Sequence, residues 1–494
     1  MPIPQQLQPI FLQIKAPPHL ATTVKGAVTS LFRSVDFTRG PVLEAAVSDT
    51  AAGIETTVRL GQDPPWHHFD AEINSPCYNK TDWANRVKER IRLGVKVVLC
   101  RAYSIPFSPW GILVGVRPTK LAHRLIDRGF SREQITSLLT DVYAVAESRQ
   151  ELLLDVVEKQ RRFFLSDVNN PVSVYVGIPF CPTRCGYCSF AAYPLKTHGH
   201  LVGAFLEALH REITVLGQLL QEQGIKVQSV YIGGGTPTAI TGSDLSRLLG
   251  LLNTCLKADE CGEYTVEAGR PETLTPESLE ILKAYGVQRI CINPQTMNDR
   301  TLRLIGRAHT ADQTREAFAL AEKYRFRQIN ADLILGLPGE GLADFAYSLD
   351  EVLKLNPDHV TIHSLALKKA SRFSQNLGRL ELEQKLGEEM AQHARKRLGS
   401  FGMGPYYLYR QRYIFSDLEN VGYAKAGAES VYNIQMMEER QTVIGVGAGA
   451  ITKLVSPDLK VVRHANPKCP ATYARQLAVI IGAKKYQIEQ HLSV

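Results

Sequence analysis

At 494 residues the chain is too long for one ordinary core and calls for two or three domains. Its 44% hydrophobic and 21% charged composition describes a soluble globular protein; it has no apolar run that could span a bilayer and opens on Met1-Pro-Ile-Pro-Gln-Gln6, which is no secretory leader, so a cytoplasmic location is expected. Nine cysteines, three of them clustered, fit a reducing compartment better than a disulfide framework, and a net charge of +8 spread over dispersed Lys and Arg suits a solvated basic surface or a polyanionic small substrate, with no nucleic acid expected as partner.

Residues 1–165 read as an N-terminal α+β accessory domain. Alternation in Gly53-Ile-Glu-Thr-Thr-Val-Arg-Leu60 predicts a half-buried strand, and Val95-Lys-Val-Val-Leu-Cys100 reads as a buried one. From Thr119 to Phe164 apolar residues return at helical spacing, among them Leu121, Leu125, Ile135, Leu139 and Val142. The peptide Trp110 to Lys120 sets tight backbone before a helix start, where Arg117 and Lys120 form either an anion grip or a structural turn. Ser166-Asp-Val-Asn-Asn-Pro171 reads as a linker.

Residues 166–378 alternate strand-like and helix-like segments six times, the pattern of a parallel sheet with crossover helices. The strands are Val172–Val176, Val227–Ile232, Tyr264–Glu267, Arg289–Ile292, Ile329–Ile334 and His359–Ser364, and the clearest helix covers about Leu201 to Leu220. Six such units make an incomplete barrel, whose C-terminal strand ends share one rim. At that rim the first strand leads into Cys181-Pro-Thr-Arg-Cys185-Gly-Tyr-Cys188. Three thiols are one short of a closed zinc site, unless Cys255, Cys261 or Cys291 comes from afar, and buried structural thiols are a further alternative. An iron-sulfur cluster with one iron left open suits three cysteines better. Gly233-Gly-Gly-Thr-Pro-Thr238, Glu267, Asn293-Pro-Gln295 and Asp332 fall at or near the following strand ends. Asp332 either receives cationic or hydroxyl groups of a ligand or pairs with Arg307 or Arg289; Arg307 offers a bidentate clamp for a carboxylate, or is a surface charge.

Residues 379–494 leave the βα pattern. A helix-rich stretch leads into Phe401-Gly-Met-Gly-Pro-Tyr-Tyr-Leu-Tyr-Arg410 and then the glycine-rich strand-and-turn run Thr442 to Ile451. Tyr409, Arg410, Arg412 and Tyr423 are candidates for holding a flat anionic ligand, with core packing as the alternative for at least half of them.

The spacing of three, then two, residues between cysteines, with Tyr187 before the last, resembles the signature of the radical S-adenosylmethionine (SAM) enzymes. Together with Gly-Gly-Gly-Thr-Pro-Thr238, Arg289-Ile-Cys-Ile-Asn-Pro-Gln295, Gly306-Arg-Ala-His309 and Asn330 to Gly339, it is similar to the HemN-type branch, the oxygen-independent coproporphyrinogen III dehydrogenases. Val266-Glu-Ala-Gly-Arg-Pro271, His363 to Ser371 and Tyr406 to Arg410 resemble the HemZ subgroup within it. The resemblance implies an α/β fold, an incomplete (β/α)6 radical SAM barrel with the N-terminal domain and a C-terminal covering domain. It implies that Cys181, Cys185 and Cys188 bind a [4Fe-4S] cluster whose vacant iron takes SAM, and that the reduced cluster splits SAM to a 5′-deoxyadenosyl radical. Tyr175, Tyr187, Gly234, Gly235, Thr236, Glu267, Gln295, Arg307 and Asp332 match SAM contacts, as do Ala366 and Ile451. The implied reaction is oxidative decarboxylation of coproporphyrinogen III to protoporphyrinogen IX, with reduced flavodoxin or ferredoxin as donor by analogy. The sequence departs from the HemN pattern at Gly177, where that pattern has His, and at Phe190, where it has a fourth Cys. The Cys188-Ser-Phe190 form resembles HemW-like members, associated with haem handling.

Overall fold

The computed structural model describes residues 9–32, 34–50, 53–70, 80–113, 115, 117–188, 190–240, 242–366, 384–411 and 414–492. The chain divides into two compact units, one of Met1–Val157, Gly378–Glu383 and Arg410–Arg412, the other of Glu158–Leu377, Gln384–Tyr409 and Tyr413–Val494. Among the described residues no helix is long and apolar enough to cross a membrane.

In the first unit, β1 (Gln13–Lys15), β2 (Val42–Thr50), β3 (Gly53–Leu60) and β4 (Trp66–Asp70) form a sheet in that order, with α1 (Pro18–Leu31) and α2 (Lys80–Ala102) supplying helical cover. Leu20, Val24 and Val28 of α1 and Ile91, Val95, Val98 and Leu99 of α2 pack with Leu43 and Val58 of the sheet, all essentially inaccessible to solvent. The run Val95 to Cys100 is therefore helical, not a strand. Its buried residues recur with those upstream at i, i+4, i+7 and i+8 from Ile91, the helical period, which outweighs the local β-branched content. Three helices follow: α3 (Thr119–Asp127), α4 (Arg132–Asp141), opened by a Ser131 and Gln134 capping box, and α5 (Glu147–Arg161).

The second unit is built on an 11-stranded sheet. Its six βα units run β5 (Val172–Ile178), α6 (Val202–Glu222), β6 (Val227–Gly234), α7 (Gly242–Leu256), β7 (Glu263–Val266), α8 (Pro276–Ala284), β8 (Arg289–Cys291), α9 (Asp299–Leu304), α10 (Ala311–Lys323), β9 (Gln328–Leu335), α11 (Leu342–Lys354) and β10 (His359–Ser364). All six strands are parallel in chain order, each within a residue or two of its sequence-read bounds. The α/β class and the incomplete barrel expected from the sequence are both present. Helices face one side of the sheet: Val174, Val176, Val230, Ile232, Val266, Ile290, Leu333 and Val360 are at most 1% exposed. Alternation turns the intervening residues to the other face, and these are polar: Tyr175, Tyr231, Glu267, Cys291, Asp332 and His363 among them.

After α12 (Gln384–Ser400), the chain adds β11 (Met403–Tyr409) and β12 (Asn420–Lys425) antiparallel beyond β10. Following α13 (Val431–Glu438), β13 (Val443–Gly447) returns to pair parallel with β5, and β14 (Ile451–Val455) and β15 (Val461–Ala465) continue that edge. Two closing helices, α14 (Pro470–Arg475) and α15 (Leu477–Leu492), are fixed by Glu212 of α6, itself 1% exposed. That carboxylate accepts from Gly447 N at 2.7 Å, the Tyr473 hydroxyl at 2.6 Å, Asn466 Nδ2 at 3.1 Å and the Lys484 ammonium. One buried charge thus joins α6, the end of β13 and both closing helices.

Candidate functional site

The cysteine loop is anchored by backbone on both sides of the barrel rim. Beyond β6, Gly235 N donates to Ile178 O and Thr236 N to Phe180 O, both at 2.7 Å, so the end of β6 is stitched to the chain that enters the loop. On the loop's far side Gly186 N donates to Ile305 O at 2.9 Å. Gly235 admits no side chain: a Cβ there would lie 2.3 Å from Phe180 O and 3.0 Å from Cys181 Sγ. Thr236 Oγ1 approaches the same sulfur at 3.5 Å.

Cys181 and Cys185 are buried and Cys188 is half-buried. Burial pushes the Cys181 thiol up to about 11 against a weaker downward pull from Thr236, and burial likewise raises Cys188. Such thiols give up protons only to a metal centre that replaces the lost positive charge. Among the described residues no group of three Cys, His, Asp or Glu side chains is placed to hold a single metal ion.

Two carboxylates face the lumen beside this loop. Glu267 accepts from the Tyr231 hydroxyl at 2.7 Å and from Gly234 N at 3.1 Å; burial nevertheless raises its pKa, the two hydrogen bonds opposing in part. Asp332 accepts from Asn330 Nδ2 at 2.8 Å and lies 3.5 Å from His363 Nε2. Burial would raise Asp332, but His363 and the neighbouring donors outweigh it and hold the carboxyl below its ordinary value. Neither arginine weighed as its partner meets it. Arg289 lies 3.0 Å from Glu263 toward the opposite ends of the strands, and Arg307 donates to Gly269 O at 3.1 Å and Asn293 O at 2.9 Å.

Gln295 is tied by backbone to Asp332 O at 2.9 Å and Ile334 N at 3.0 Å. It adopts φ +73°, a region that costs a glutamine about 1–3 kcal/mol, and such strain is concentrated at functional sites. The Gln295 amide oxygen, the Asn293 amide oxygen and Arg307 Nε are all buried without a hydrogen-bond partner. Three orphaned polar atoms on one rim are what a polar ligand satisfies on binding. A molecule with an amino-acid end, a ribose and a cationic centre fits this donor and acceptor set.

Below the rim the lumen is filled. Tyr231 stacks on Tyr432 of α13 with ring centroids 4.3 Å apart, and Tyr175 lies 6.2 Å from Tyr231 and 6.1 Å from Tyr432. Glu263 holds α13 there, accepting from Ser430 Oγ at 2.8 Å and Val431 N at 2.7 Å. Tyr187 contacts the loop thiol Cys185 and the Arg307 guanidinium, and burial raises its phenol.

Of the remaining sequence candidates, Ala366 forms a bridge with Ile414 just past β10, and Ile451 starts β14, 40% exposed. Tyr409 shares the lumen face with His363, its hydroxyl 3.3 Å from Nδ1, whereas Tyr423 pairs with Val360 on the opposite face and is buried. Arg410 belongs to the first unit, where it donates to Leu113 O and lies over Trp110 at 5.4 Å. Arg412 lies outside the described residues. Sequence reasoning assigned no role to Arg270, Glu272, His309, Tyr231, Tyr432 or His363. Arg270 was discoverable, since it follows Glu267 by three residues in the loop leaving the same rim. The two departures from the HemN pattern differ in setting. Gly177 is enclosed, since a Cβ would lie 2.8 Å from Ala448 O, and Phe190 is 69% exposed.

Residues 175–352 match the family profile of the Radical SAM superfamily. Over 426 residues, 84% of either sequence, the chain is 40% identical to the oxygen-independent coproporphyrinogen-III oxidase-like protein HemZ of Bacillus subtilis (strain 168). It is 32% identical over 282 residues to the heme chaperone HemW of the same bacterium, covering 56% of this chain and 70% of that protein. In fold it is similar to the radical SAM enzyme coproporphyrinogen III oxidase (HemN) from Escherichia coli, with TM-score 0.52 and 22% identity over 65% of this chain and 71% of that one. Radical SAM proteins use a [4Fe-4S] cluster and SAM, the groups that the three-thiol loop and the polar rim fit. The chain belongs to the radical SAM superfamily and, within it, to the family of HemZ.

Proposed function

We propose that the chain is a cytoplasmic radical SAM oxidoreductase of porphyrin synthesis that converts coproporphyrinogen III to protoporphyrinogen IX without oxygen. The observation that carries this reading is the single rim on which the three-thiol loop meets two luminal carboxylates and three unsatisfied polar atoms. The 40% identity to a coproporphyrinogen-III oxidase-like protein supports the substrate class.

With cluster and SAM bound, the cofactors supply hydrogen-atom abstraction from the propionate carbon next to the ring. The chain's own residues bind and orient. Cys181, Cys185 and Cys188 would hold the cluster, and Gly234, Gly235 and Thr236 would let backbone approach the amino-acid end of SAM. Glu267, Gln295 and Asp332 would accept from its ammonium and hydroxyl groups, and Arg307 Nε and Tyr187 would receive its carboxylate. Tyr175, Ala366 and Ile451 complete the lining. Tyr409, with His363 behind it, offers a hydroxyl to a propionate. Each vinyl forms as one hydrogen atom and one carbon dioxide leave and the surplus electron passes to an acceptor. Reduced flavodoxin or ferredoxin is the donor by analogy.

The test is anaerobic turnover of coproporphyrinogen III by reconstituted, reduced protein, with porphyrin products followed by mass. Loss of two carboxyl groups, abolished by Cys185→Ala, supports the reading. A substrate that keeps all four propionates while SAM is cleaved refutes it. A second reading, haem handling without dehydrogenation, is favoured by the Cys188-Ser-Phe190 segment, whose exposed phenyl stands where a fourth thiol is absent, and by the likeness to HemW. Retention of stoichiometric haem with no turnover would select it.

A further inference from the structure

Arg270 is neither a thiol ligand nor one of the residues facing SAM, yet it is 3% exposed and bonded to the cysteine loop. Its Nη2 lies 3.0 Å from Cys185 Sγ and 2.9 Å from Thr183 O, so one guanidinium grips the loop at the sulfur and two residues before it. Its Nη1 lies 3.3 Å from Glu272 Oε1, and Glu272 Oε2 lies 3.3 Å from His309 Nδ1. The Glu272 carboxyl is held at about 2: burial opposes ionisation, but His309 and Arg270 outweigh it. Burial outweighs the pull of Glu272 and keeps His309 below its ordinary value. The row therefore presents a cation to the sulfur with an anion directly behind it.

A hydrogen bond and a positive charge at a ligating sulfur stabilise the reduced, more negative cluster over the oxidised one, and hydrogen bonds, net charge and solvent exposure are what set such potentials. Arginine keeps its charge even when buried, and burial leaves that charge little screened. We propose that Arg270 is the positioning residue that raises the reduction potential of the cluster through Cys185, and that Glu272 moderates it. This rests on the assignment of the three thiols to the cluster.

The experiment is an EPR-monitored potentiometric titration of anaerobically reconstituted full-length protein without SAM, with iron and sulfide counted per chain. Arg270→Gln is expected to lower the midpoint so that the ratio of reduced to oxidised cluster at the wild-type midpoint falls roughly tenfold, about 59 mV for a one-electron couple. Glu272→Gln is expected to shift it the other way, which a merely disturbed loop would not do. Arg270→Lys, which keeps the charge but not the two-point grip, falls between wild type and Arg270→Gln, and with Glu272→Gln it carries the test should Arg270→Gln fail to fold. Fully loaded variants that titrate at the wild-type midpoint, or shift in the same direction for Arg270→Gln and Glu272→Gln, overturn the proposal alone. Wild-type protein that takes up no cluster overturns the thiol assignment with it.

Discussion

Gly235→Ala puts the cradle around the cysteine loop to a quantitative test. The added methyl would sit 2.3 Å from Phe180 O, 2.9 Å from its carbonyl carbon and 3.0 Å from Cys181 Sγ. Relative to the roughly 3.5–4.0 Å optimum for carbon contacts, that is more than ~1 Å of overlap with backbone. Neither side can swing away, because Gly235 N and Thr236 N are both bonded across the overlap at 2.7 Å. Overpacking of this kind costs about 1–3 kcal/mol, and the displaced atom most able to yield is the Cys181 sulfur. Urea unfolding should show that loss, and reconstitution should give substoichiometric iron. Gly482→Ala is the control: it lies exposed in α15 with nothing within 4 Å of its Cβ position and should gain about 0.5–1 kcal/mol with normal iron. A Gly235→Ala protein with wild-type unfolding midpoint and full iron content would refute the reasoning.

Glu212→Gln leaves the Lys484 ammonium, 3% exposed, without its counter-charge and should cost about 3–5 kcal/mol in chemical unfolding; adding Lys484→Met should recover part of it, and a change within 0.5 kcal/mol for the single variant, on the order of a surface substitution, would contradict the hub. On acidification the native state should weaken. His309, held below 6.5, contributes stability present above its ordinary value and lost as it is forced to charge, and Glu272 contributes stability present above about 4.5 and lost as pH falls toward about 2. Urea midpoints taken between pH 7 and pH 3 should fall for wild type and fall less for Glu272→Gln; parallel curves would count against the ion row. Gly177→Ala should destabilise the pairing of β5 and β13, because its Cβ would meet Ala448 O at 2.8 Å, and thermal melts that match wild type would rule out that contact.

The six parallel strands were legible because each is a short run alternating with a helix-like segment, and α6 because Phe205, Leu209, Ile213 and Leu216 keep strict helical spacing. The cysteine spacing likewise carried the resemblance to the radical SAM family, which the family profile over residues 175–352 bears out. What stayed hidden was non-local. No local pattern predicts that Val443 will pair with Ser173, or that Glu212 will meet Lys484. The Val95 to Cys100 segment misled because six apolar-rich residues look alike in a strand and a buried helix until the upstream Ile91 is counted. Arg270 and His309 stood inside quoted motifs without a role: the place of Arg270 at the rim was open to inference from Glu267, but its row with Glu272 and His309 forms only when the loops are brought together.

The most direct test of the account is SAM cleavage itself. Reconstituted, dithionite-reduced protein given SAM alone under strict anaerobiosis should release 5′-deoxyadenosine, measured by mass. Cys185→Ala, folded by circular dichroism, should release none. Wild-type protein with a full complement of iron and sulfide, reduced as judged by EPR, that leaves SAM intact would contradict the assignment of this rim to radical chemistry.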